Sequence, residues 1–91
     1  MAPTPNLSDL QCFVLVYEER SFTRAANLLD TAQSQVSARI QRFERFAGMP
    51  LFTRLHRGIV PNRKGELLYE HAKQILRNVS DLETAVREPP S

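Results

Sequence analysis

The chain has one cysteine, no tryptophan and only three glycines among its 91 residues. A single cysteine, Cys12, excludes an internal disulfide framework and the usual multi-cysteine zinc module. The two histidines, His56 and His71, have no ligand cluster around them, so no metal and no cofactor is expected. No grouping of nucleophile, histidine and acid stands out, and the chain is not expected to be an enzyme. No apolar run reaches the roughly 18 residues of a membrane span, so no membrane partner is expected. The first residues lack a basic patch followed by an apolar run, so no secretory signal is expected and the expected compartment is the cytoplasm. Neither an aromatic-bearing sheet nor a glycine clamp for RNA is visible.

What is present is enough for a core. Hydrophobic residues make up 42 % of the chain, which argues against wholesale disorder. A chain this short buries only roughly 60–65 % of its unfolded surface. With neither disulfide nor metal, a partner chain is the remaining support. The net formal charge is only +2, but it is unevenly placed. Residues 1–19 carry −3, residues 20–63 carry +6, and residues 64–91 carry −1. Ten of the twelve basic residues are arginine, whose planar fork suits phosphate and guanine.

The patterning predicts a mainly α chain. Residues 1–6, with Pro3 and Pro5, read as a flexible tail. Ser8 with Gln11 reads as a capping box opening a helix over about 8–19. Ser21 caps a short second helix carrying Phe22, Ala25, Ala26, Leu28 and Leu29, whose adjacent alanines permit close helix approach. A polar break at Asp30 to Ala32 leads into a third helix over about 33–47, with Val36, Ile40, Phe43 and Ala47 on one stripe. Gly48 is the expected C-cap and Pro50 prevents continuation. Two helices joined by so short a turn form a helix-turn-helix pattern.

The opposite face of the third helix carries Ser34, Ala38, Gln41, Arg42 and Arg45, flanked by Gln33, Gln35, Ser37 and Arg39. It holds small, amide and guanidinium groups and no acid. Such a face lets a helix descend into a major groove and read base edges. Loss of Arg42 is expected to reduce base discrimination. Two short apolar-bearing runs around the break at His56, Arg57 and Gly58 predict a hairpin, or wing. Arg54, His56, Arg57 and Arg63 would there approach the phosphate backbone or the minor groove. Asn62 caps a last helix over about 63–87, ending before Pro89 and Pro90. On it Leu68, Ala72, Ile75, Val79, Leu82 and Val86 recur at heptad spacing, the pattern of a dimerisation stripe. Leu67, Leu68 and Ala72 can also pack back on the chain's own body; beyond Ile75 a second chain is the better cover. A pair of such chains suits an inverted-repeat site in duplex DNA. A second reading fits the same residues: an interaction module whose last helix mediates association without specific DNA readout. Steep loss of duplex affinity with salt separates the two.

Two stretches, LSDLQCFVLVYEERSFTRAANLLDTAQSQVSARIQRFERFAGMPLFTR and GIVPNRKGELLYEHAKQIL, carry a family resemblance. Most distinctive are Ser21-Phe22-Thr23, Ala25-Ala26 and Leu29, with Gln33, Ser37, Ile40, Glu44, Gly48, Leu51-Phe52, Arg54 and Gly65. Over about residues 7–87 the chain resembles the N-terminal DNA-binding domain of LysR-type transcriptional regulators. The resemblance implies a winged helix-turn-helix over 7–62, a linker and dimerisation helix over 63–87, and a tail over 88–91. It implies that Gln33, Ser34, Gln35, Ser37, Ala38 and Arg42 lie on the recognition helix. Thr23 and Arg24 match backbone-touching positions, and Arg54 with the 56–58 turn matches the wing. The chain departs from the family at several places. Ala32 stands where Ser or Thr usually caps the recognition helix, a cap worth about 1 kcal/mol. Ser34 stands where proline is frequent, Ala38 where a cation is common, Arg39 where glutamine is common, and Arg20 where glycine is usual. These changes point to altered sequence preference or unusual backbone geometry within the same fold. Family members are usually much longer, with a metabolite-sensing C-terminal part. The expectation is therefore a DNA-binding piece of a larger regulator, a homodimer or higher oligomer, with a small-molecule effector only if such a further domain exists.

Overall fold

A computed structural model describes residues 4–90. Of the tails expected at 1–6 and 88–91, residues 1–3 and 91 lie outside the described residues. The described elements run α1 (Leu7–Glu19), α2 (Phe22–Leu28), α3 (Gln33–Ala47), β1 (Phe52–Leu55), β2 (Gly58–Pro61) and α4 (Arg63–Arg87).

The cap of α1 is Asn6 rather than Ser8. The Asp9 N–H donates to the Asn6 side-chain oxygen at 2.8 Å, and the Asn6 N–H donates back to the Asp9 carboxylate at 3.1 Å. The sequence holds two overlapping boxes, and the one with the carboxylate forms. An ionised acceptor makes the stronger bond and is favoured by the positive end of the helix dipole. Ser21 caps α2 as expected, its hydroxyl accepting from the Arg24 N–H at 3.0 Å. Ala25 and Ala26 are buried, so α2 lies close against α1 and α3. Leu28, grouped with them by spacing, is exposed instead.

The turn from α2 to α3 passes through Asp30 at φ 53°, a left-handed conformation that aspartate tolerates better than most side chains. The Thr31 N–H then closes on the Ala26 carbonyl at 3.0 Å. α3 begins after Ala32 with no side-chain cap, as the alanine there requires. It ends at Gly48, which takes φ 82° and donates its N–H to the Glu44 carbonyl at 2.8 Å. The Glu44 side chain accepts from the Leu51 N–H at 2.8 Å and so steers the chain past Pro50 into β1. β1 and β2 pair antiparallel, with Phe52 opposite Pro61 and Leu55 opposite Gly58. His56 and Arg57 form the tip of this wing.

Phe13 is the centre of the core. Its ring meets Phe43 edge-on at 4.9 Å and Phe52 at 5.7 Å, so one side chain of α1 joins α3 and the wing. Val16, Val36, Ile40, Leu51 and Cys12 complete the buried centre. Burial pushes the Cys12 thiol up to about 11, which leaves it protonated and unreactive at neutral pH.

α4 opens on Asn62, whose side-chain oxygen accepts from the Gly65 N–H at 2.8 Å. Gly65 lies directly against Leu51. A Cβ there would collide with the Leu51 carbonyl oxygen and meet Pro61 Cβ at 3.3 Å, so only glycine lets α4 start this close. Gly65, Tyr69 and Ala72 are its buried residues. Ala72, expected on the dimerisation stripe, is 1 % exposed within the chain's own core and has no surface left for a partner. Leu68 is half-buried against the same core, but Leu67, expected to pack beside it, is 54 % exposed because it lies on the helix face turned away from the core. Further along, Ile75, Leu82 and Val86 are 43 %, 63 % and 76 % exposed. The projecting half of α4 stretches the molecule to 55 × 30 × 21 Å.

Candidate nucleic-acid interface

α3 has two sides of opposite character. Val36, Ile40 and Phe43 are buried. At the complementary positions Gln33, Ser34, Gln35, Ala38, Gln41 and Arg45 are exposed, and Ser37 is half-buried at the edge. The periodicity of one helix accounts for both sides. The outward residues form a smooth, polar ridge without a carboxylate.

The start of α3 is tied to the start of α2. The Thr23 hydroxyl donates to the Gln33 side-chain oxygen at 3.1 Å, which orients that amide. Thr23, Arg24, Gln33 and Arg54 all line one open depression of about 560 Å³ between α2, α3 and the wing. A smaller hollow of about 190 Å³ beside it brings Ser37, Gln41 and Arg54 together. Arg54 borders both hollows, and its guanidinium lies over the Phe22 ring at 5.3 Å from the centroid. That contact holds an otherwise exposed arginine toward α2. Ser34, Gln35 and Ala38 continue the ridge without lining either hollow. His56 and Arg57 are exposed at the wing tip, and Arg63 is exposed at the first position of α4.

Arg42 does not join this surface as expected. Its Nε donates to Asp9 Oδ2 at 3.0 Å and its Nη2 to Asp9 Oδ1 at 2.9 Å. Asp9 is wholly buried, and the pair bolts α1 to α3. Its Nε and one Nη are taken by that carboxylate, and withdrawing them would leave a buried charge unpaired. Burial pushes the Asp9 carboxyl up, but the hydrogen bonds from Arg42 and Asn6 outweigh it, and the group sits below the usual carboxylate range. The two partners are 33 residues apart, beyond the reach of any local pattern.

Among the described residues there is no group of three or more His, Cys, Asp or Glu side chains placed to hold a metal ion. No helix among the described residues is long and apolar enough to cross a membrane.

Comparison with known proteins gives the surface a context. The family model described as "Bacterial regulatory helix-turn-helix protein, lysR family" matches residues 7–66. The HTH-type transcriptional regulator BudR of Klebsiella aerogenes is 48 % identical over 67 residues, covering 74 % of this chain and 47 % of BudR. The HTH-type transcriptional regulator PgrR of Escherichia coli strain K12 is 44 % identical over 73 residues, covering 80 % of this chain and 24 % of PgrR. The chain thus spans between a quarter and a half of the length of these relatives. Among solved structures, the BenM DNA-binding domain in complex with catB site 1 DNA superposes with a TM-score of 0.85 at 35 % identity. That match covers 90 % of this chain and 92 % of the BenM chain.

Proposed function

Because the chain belongs to the LysR family of bacterial regulatory helix-turn-helix proteins, we propose that it is a sequence-specific duplex-DNA-binding unit that works as a dimer. The observation that carries this reading is the outward ridge of α3. It is polar, free of acids, backed by a rigid core and flanked by the cationic wing. In this reading Gln33, Ser34, Gln35, Ala38 and Gln41 face base edges in the major groove. Thr23, Arg24 and Ser37 meet phosphates beside it, and Arg54, His56, Arg57 and Arg63 meet the flanking backbone. Arg42 is a scaffold residue.

Residues 7–62 are the reading body in this proposal, and residues 63–87 are the helix through which two copies pair. Ile75, Val79, Leu82 and Val86 form the shared seam, with Leu68 at its inner edge. Two-fold pairing suits an inverted-repeat site. The relatives' printed names and the DNA in the BenM complex support a role in transcriptional regulation. That role puts the protein in the bacterial cytoplasm. Catalysis has no part in it, and any small-molecule effector would act through a domain beyond these residues.

Selection of bound duplexes from a random pool, followed by fluorescence anisotropy on the enriched and scrambled duplexes, tests the reading. Enrichment of a symmetric site, with affinity for it that exceeds the scrambled duplex and falls steeply with salt, is the expected result. Equal affinity for both duplexes would overturn sequence reading. A partner-binding helix with no salt-dependent duplex affinity would favour the interaction-module alternative.

A further inference from the structure

α4 touches the reading body only along its first half. Gly65, Tyr69 and Ala72 are buried, Leu76 is partly buried against the core, and beyond it the helix projects. Besides the apolar packing of Leu68, Ala72 and Leu76, two polar joints hold the rod. The first is at its base. There the Asn62 N–H donates to the Leu51 carbonyl at 3.0 Å, and the Asn62 side-chain amide donates to the Pro50 carbonyl at 2.7 Å. The second is at Tyr69, against the last turn of α1.

At this second joint the Tyr69 ring stacks on Tyr17 with centroids 3.8 Å apart and planes 8° from parallel. The Arg20 guanidinium also lies over the Tyr17 ring, at 4.9 Å. The Tyr69 hydroxyl donates to the Glu18 carboxylate. The Lys73 ammonium donates to the Tyr69 hydroxyl oxygen at 3.0 Å and lies 3.6 Å from the Glu18 carboxylate. Tyr69 is 8 % exposed, and Glu18 lies 51 residues away from it in sequence. Stacked rings alone tolerate sliding and rotation in their plane. A charge-assisted hydrogen bond from the ring's far end removes that freedom, because its strength depends on direction.

We propose that Glu18, Tyr69 and Lys73 are positioning residues that fix the tilt of α4 against the reading body, and through it the half-site spacing that a dimer accepts. The proposal rests on the dimeric DNA-binding reading above. Lever arithmetic supports it. From Ala72, its last buried residue, to Arg87 the helix runs about 22 Å, at roughly 1.5 Å per residue. A tilt of about 10° moves its far end by roughly 4 Å, close to the ~3.4 Å between successive base pairs. A tilt of that size at Tyr69 is thus comparable in length to one base-pair step. The α1 end of the joint leads directly through Arg20 into Ser21 and α2, so the lever is anchored beside the reading helices themselves.

Two measurements on the 91-residue chain test this, with Tyr69→Phe and Glu18→Ala as variants. Tyr69→Phe keeps the ring stack and loses only the hydroxyl, so it retains the buried apolar contact. The first measurement is the spin-label distance distribution in Asn27→Cys/Thr84→Cys protein diluted with unlabelled chain; the native Cys12 is buried. Both variants are expected to broaden the distribution relative to the parent. The second is affinity for duplexes carrying the selected half-sites at the best spacing and at one base pair more or less. The parent is expected to discriminate sharply. The variants are expected to lose about threefold or more of that discrimination while single half-site affinity stays unchanged. An unbroadened distribution in a fully helical variant overturns the proposal. So does a broadened distribution with the parent's spacing profile. If the parent binds no duplex at all, the DNA reading has failed, and the proposed control of spacing falls with it; the distance measurement then shows separately whether the joint holds α4.

Discussion

Asp9 has two obligations in the first turn of α1. It completes the capping box with Asn6 and it binds the fork of Arg42. Because its folded-state pKa is lowered, the stability it contributes is fully present above the unfolded-chain value of about 3.9. That stability is lost as pH falls from there through the lower folded value. Asp9→Asn is therefore expected to lower the urea midpoint at neutral pH, with the gap to the parent closing in strong acid. Urea titrations across that range check it. Arg20 is a second residue with opposed effects. It takes the left-handed conformation, φ 54°, which costs a side-chain-bearing residue roughly 1 kcal/mol. Its stacking on Tyr17 returns about 0.5–1 kcal/mol. Arg20→Ala keeps the strain and loses the stack, so a loss of about 0.5–1 kcal/mol is expected. Arg20→Gly relieves the strain as well, and its thermal midpoint should fall closer to the parent's. Urea titration reads the first outcome and a thermal melt the second.

At the scale of elements, the base of α4 and the wing make contrasting demands. Replacing a glycine inside a helix by alanine normally helps by about 1 kcal/mol. At Gly65 the added Cβ would strike the Leu51 backbone, which cannot yield without moving the entry to β1. Gly65→Ala is expected to destabilise by about 1–3 kcal/mol, the range for overpacking a tight contact. A thermal melt with unchanged or raised midpoint would contradict it. The wing tolerates substitution far better, since His56 and Arg57 are exposed. Arg57→Ala should leave the fold intact and weaken affinity for specific and scrambled duplexes alike. The slope of log affinity against log salt should then fall by about one. An effect confined to one duplex sequence would instead make Arg57 a base reader. The element boundaries were largely legible in the sequence. Ser21, Gly48 and Asn62 act on groups within a few residues of themselves, so their capping chemistry is local. The α1 start was less so, because two boxes overlap and charge decided between them.

For the whole molecule, the open question of cover falls on the projecting half of α4. Ile75, Leu82 and Val86 are exposed along a helix that overhangs its body. Val79→Asp places a charge in that stripe, far from the Phe13 core. It is expected to leave the helical signal of the body intact and to shift sedimentation toward a monomer. Duplex affinity should fall with it, because two linked half-site contacts become one. A folded variant that sediments as the parent does would move the interface elsewhere. The alternation of apolar and polar residues along 33–47 already determined that a helix there would bury Val36, Ile40 and Phe43 and turn Ser34, Ala38 and Gln41 outward. That information is periodic and needs no distant partner. Tertiary structure alone decided that Arg42 is closed on Asp9, that Ala72 faces inward and that Tyr69 meets Glu18. Each depends on which helices come to lie side by side, and a side chain's nearest charge across 33 or 51 residues is set by packing, not by spacing along the chain.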